Sequence, residues 1–75
     1  MLSCLLVAGT IWLHSPGDPA RAVMRLDAIV TARTERSTLY VATEHDNTAT
    51  FLLPPRWEAL SGAEILSACA REVRG

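Results

Sequence analysis

The tetrapeptide Ser61-Gly62-Ala63-Glu64 stands directly before an apolar run of helical period, and no other feature so narrows what the chain can become. Serine followed three residues later by glutamate is the capping box, in which each side chain accepts a backbone N–H that the helix start leaves unpaired. Behind it Ile65, Leu66, Cys69 and Val73 share a stripe about 100° wide, while Glu64, Ser67, Arg71 and Arg74 point away. Glu64 at the start and the two arginines at the end also complement the helix dipole. The pattern predicts an amphipathic helix over 61–74, and such a helix needs an apolar surface to cover.

A hairpin supplies that surface. Thr38 to Glu44 and Thr48 to Leu53 are rich in β-branched and aromatic residues and are separated by His45-Asp46-Asn47. A two-residue loop would scatter the apolar side chains over both faces. A three-residue loop gathers Leu39, Val41 and Thr43 opposite Leu53, Phe51 and Ala49 on one face, with Asn47 in the left-handed position. The opposite face carries Tyr40, Ala42 and Glu44. Pro54-Pro55, unable to donate to a ladder, ends the second strand.

The N-terminal half is read more coarsely. Ser3 to Leu13 is almost wholly apolar and fits one central strand buried on both faces. Pro16-Gly17 suits a type II turn, and Asp18-Pro19 is a helix-start signal. From Ala20 to Arg36 two periods compete. As a helix, Val23, Leu26, Ile29 and Val30 form one stripe; as a strand, Met24, Leu26, Ala28, Val30 and Ala32 alternate with polar residues, Ile29 being the exception. The Asp-Pro signal favours the helix. The expected fold is α+β, a single domain over 1–75 in the order β-α-β-β-α with an antiparallel hairpin and a C-terminal amphipathic helix; the rival is a four-stranded meander plus that helix.

With 75 residues there is room for one core, and 49% apolar against 20% charged residues is too hydrophobic a balance for disorder. A net charge of −1 offers no general field for a polyanion. Two cysteines are too few for a disulfide framework, so Cys4 and Cys69 are expected to be reduced thiols and the protein cytoplasmic. The alternative is an exported protein: no charged residue precedes Asp18, and Ala20-Arg21-Ala22 has the small-x-small form of a signal-peptidase site, with cleavage after Ala22. The first apolar run is too short to span a bilayer as a helix.

No residues assemble a recognisable catalytic set. Cys69 lies in the middle of the apolar stripe, where a small buried hydrophobe is expected rather than a nucleophile. Glu44-His45-Asp46 carries metal-ligand residue types, but neighbours in a strand point to opposite faces, and a solvated hairpin tip fits better. The expectation is a non-enzymatic module with no cofactor and no metal. It would bind another protein or a second copy of itself, as a small regulator or inhibitor, through an exposed sheet edge or a surface of Tyr40, Arg56 and Trp57, whose residue types are enriched at interface hot spots. The alternative binding class is nucleic acid, through an Arg21, Arg25 and Arg36 stripe on the middle helix, and it is disfavoured because no aromatic residue lies there for bases to stack on.

Overall fold

A computed structural model describes residues 1–17 and 23–75. Six strands precede one helix: β1 (Ser3–Val7), β2 (Thr10–His14), β3 (Met24–Arg25), β4 (Ile29–Glu35), β5 (Thr38–Thr43), β6 (Thr48–Leu52) and α1 (Gly62–Arg74). Short 3-10 turns at Leu26–Ala28 and Pro55–Trp57 lead into β4 and towards α1. The strands form two antiparallel three-stranded sheets, β1-β2-β3 and β4-β5-β6, so the α+β class holds.

Two segments depart from the sequence reading. The run Ser3 to Leu13 is not one strand but a hairpin, because Ala8 and Gly9 both take positive φ (51° and 81°), as a two-residue type I′ turn requires. The segment expected to be helical carries β3, a 3-10 turn and β4 over its described part, while the Asp18-Pro19 start signal lies outside the described residues. In β4 the ladder slips between Ile29 and Thr31. That bulge leaves Val30 59% exposed and returns Ala32 to the core side, which accounts for Ile29 breaking the alternation.

The β5–β6 hairpin keeps the expected inward face but shifts its pairing by two residues, Leu39 lying opposite Phe51 and Val41 opposite Ala49. The loop is still three residues long, now Glu44-His45-Asp46. Thr43 N donates to Asn47 O at 2.9 Å, and Asp46, not Asn47, takes the left-handed conformation at φ 61°. Either residue tolerates that region, so the turn chemistry alone does not choose between the two loops.

The core gathers Leu2 just before β1, Ile11, Leu13 and Met24 from the first sheet, Leu39, Val41 and Phe51 from the second, then Leu53, Trp57, Ile65 and Cys69. Alternation along β1 turns Cys4 inward, beneath the helix stripe, where it forms a disulfide with Cys69 at a Cα separation of 5.9 Å. The expectation of two reduced thiols is thereby corrected.

At the helix start the capping box is complete: Glu64 N donates to Ser61 Oγ at 3.3 Å, and Ser61 N donates to Glu64 Oε1 at 3.1 Å. The Ser61 backbone N–H, with a smaller contribution from its side chain, holds the Glu64 carboxyl below its ordinary range. A lowered folded-state pKa contributes stability that is full above the unfolded value and is lost as pH falls through the folded one. Ser61→Ala is therefore expected to cost about 1 kcal/mol near neutral pH. Urea unfolding of wild type and Glu64→Ala at pH 7 and pH 3 should show the loss from that second substitution shrinking in acid, and an unchanged loss would contradict the capping role of the Glu64 carboxylate.

Candidate functional site

Sequence directs two kinds of residue to the outside of the first sheet. Inward alternation puts Cys4, Leu13 and Met24 in one row across β1, β2 and β3, with Leu13 fully buried. The row beside it, Leu5, Trp12 and Arg25, must then face outward. Leu5 is 47% exposed and Val7, on the same face of β1, 54%. Trp12 is half-buried and Val23, next to β3, is exposed.

Arg25 is held at 2.8 Å by Asp27, so the one charged side chain in that row is neutralised locally. A cleft of about 400 Å³ opens beside it, lined by Trp12, Val23, Met24, Arg25, Thr43 and Asn47 among others. Thr43, one of its lining residues, keeps its Oγ1 buried and without a hydrogen bond among the described residues. The cleft separates the two sheets on the β3 side. On the β1 side they meet, Leu2 N donating to Leu52 O at 2.6 Å. Thr48 lines the cleft while Leu52 reaches Leu2, so β6 borders the first sheet at both points.

The residues singled out from sequence fall elsewhere and do not form one surface. Trp57 is only 7% exposed and closes the core, with the Arg56 guanidinium 4.7 Å above its ring. Arg56 in turn bonds both carboxylate oxygens of Glu72, at 2.9 and 3.1 Å, tying the 3-10 turn to α1. Tyr40 lies on the other face of its sheet from the core that Trp57 closes, half-buried under the Arg33 guanidinium at 4.2 Å.

The arginine stripe is likewise not assembled. Its helix is absent over the described residues, Arg25 sits on β3, and Arg36 is at the β4–β5 turn with φ 50°; Arg21 lies outside the described residues. Glu44, His45 and Asp46 occupy an exposed hairpin tip, and Cys69 is bonded to Cys4. Among the described residues no three His, Cys, Asp or Glu side chains gather as metal ligands would, and no helix is long and apolar enough to cross a membrane.

Leu5, Val7 and Trp12 escape the sequence reading because a strand buried on both faces hides which side chains point out. Gly9, halfway along the run, was the available signal, since a glycine inside a strand pattern often marks a break. Comparison with protein-family models, curated proteins and solved structures returns no match to this chain.

Proposed function

We propose that the chain is a non-enzymatic protein-binding module, of the kind used as a small regulator or inhibitor, and that it docks through the outer face of its first sheet. One observation carries the reading: a hairpin without a charged residue presents Leu5 and Val7 to solvent beside Trp12. Soluble monomers seldom leave contiguous apolar surface open, and where they do it commonly marks an interaction site. Trp12 belongs to the residue types enriched at interface hot spots.

The Cys4–Cys69 disulfide supports an oxidising compartment, and hence the exported reading over the cytoplasmic one. Cleavage after Ala22 does not fit with it, since that would remove β1, β2 and one half of the disulfide together with the buried Leu2, Ile11 and Leu13.

The test is affinity capture from the native host with the wild-type chain and with Leu5→Glu/Val7→Glu. Both positions are exposed, so the double variant should keep its unfolding free energy within about 1 kcal/mol of wild type. It should lose the captured partner. An identical set of bound proteins would remove the first sheet from the interface.

A further inference from the structure

We infer that a partner of the first sheet is a second copy of the chain, joined edge to edge through β1, the edge that borders the proposed docking face; the inference rests on the proposed reading of that sheet as a binding surface. In a hairpin closed by a two-residue turn, Val7 and Thr10 exchange both ladder bonds, and alternate residues behind them do the same. Ser3, Leu5 and Val7 therefore spend their main-chain groups on β2. Leu2, Cys4 and Leu6 direct theirs away from it, and the bond from Leu2 N to Leu52 O shows that direction. Beyond Leu2, the outward groups of Cys4 and Leu6 have no hydrogen-bond partner among the described residues.

Sheet edges are ordinarily guarded by charge, proline, a bulge or a cover. The other edges here have such guards. β3 is two residues long and ends in the Arg25–Asp27 pair. β4 has its bulge and carries the start of α1. β6 is occupied at Leu52 by Leu2. The part of β1 between Cys4 and Val7 carries no charge, proline or bulge; α1 is tied to its inner face through Cys4, while Leu5, Leu6 and Val7 are all exposed on it.

A copy of the same strand fits this edge. Antiparallel pairing about a two-fold axis at Leu5 sets Leu6 opposite Cys4 of the second copy and Cys4 opposite its Leu6, so the open main-chain groups meet each other. The two Leu5 side chains become direct neighbours, as do Val7 and Ser3 across the axis. The strand itself carries no charged side chain, since none occurs before Asp18. The pairing uses one edge of each molecule and closes as an isologous dimer. Five-residue edges cover less than the roughly 800 Å² per partner of a standard interface, so the dimer is expected to be a weak one, with a constant in roughly the micromolar range or above.

Sedimentation equilibrium of the full chain from 10 µM to 1 mM, as concentrations of roughly those orders around the expected constant, should show the mass rising from 8.2 kDa towards twice that value. Leu5→Lys and Leu5→Glu, substitutions at an exposed position, should each weaken dimerisation at least tenfold or so by placing like charges face to face. Mixed in equal amounts, the two should recover heterodimers at near wild-type affinity. A wild type that stays monomeric up to the top concentration overturns the inference but leaves the docking face to be judged by the capture experiment. A wild-type dimer whose Leu5→Lys and Leu5→Glu forms fail to recombine overturns the β1 pairing.

Discussion

Gly62→Ala is expected to destabilise the protein by about 3 kcal/mol, although alanine is the better helix former. Gly62 opens α1 where the helix is seated on β4. A β-carbon there would overlap the Ala32 carbonyl and lie 2.7 Å from the Arg33 nitrogen. These are backbone atoms of a paired strand, Ala32 opposite Val41 and Arg33 opposite Tyr40, and they have no rotamer to give. Helix propensity returns at most about 1 kcal/mol of the cost, so the clash decides the sign. The nearby hydrogen bond from Thr34 Oγ1 to Leu60 O, at 3.1 Å, also fixes the helix entry over the strand and limits escape by sliding. Urea unfolding of Gly62→Ala beside Ala63→Ser, an exposed neighbour, would separate contact from propensity. A Gly62→Ala variant as stable as wild type would mean that α1 does not rest on β4 at this point.

The same glycine shows what could and could not be read in advance. Its place in a capping box is local information, carried by Ser61 and Glu64, and the helix and its stripe were legible for that reason. The need for glycine, rather than any other N1 residue, comes from Ala32, thirty positions away, and no local pattern encodes it. The hairpin gives a second case. Loops at Glu44-His45-Asp46 and His45-Asp46-Asn47 differ by one residue but leave the same side chains on the inward face, so patterning settled the face and left the pairing open by two residues. In β4 the bulge at Val30 interrupts the period of two and makes a strand resemble a helix stripe.

The candidate site was the least legible part. Aromatic and arginine residue types drew attention to Tyr40, Arg56 and Trp57, but residue type does not say which face a side chain takes. Trp57 turned inward, and Arg56 is held by Glu72. The decisive hint was an absence: no charge before Asp18, in a stretch that folds into two strands with one face turned to solvent. Local sequence also had no means of pairing Cys4 with Cys69, whose separation of 65 residues is closed only by the packing of α1 over β1.

Replacing both cysteines, as Cys4→Ala/Cys69→Ala, is expected to cost about 4 kcal/mol at 25 °C. Loop closure over 65 residues accounts for an effect of that size through the unfolded chain, which the cross-link deprives of conformations. Cys69 is fully buried, so loss of its sulfur adds a packing defect to the entropic term. A domain of 75 residues has about 4 to 11 kcal/mol of stability in all, which leaves the variant near its unfolding threshold. Reductant separates the contributions. Wild type in reductant, with thiol titration showing the bond open, should lose the entropic part and keep the buried sulfur, while the double variant should be indifferent to the addition. Its denaturant slope should also exceed that of the oxidised wild type, because the unfolded chain without the cross-link exposes more surface. A wild type whose midpoint does not move once both thiols are free would show that β1 is held by the core alone, and that the disulfide contributes nothing to keeping the hairpin, with its open edge, in place.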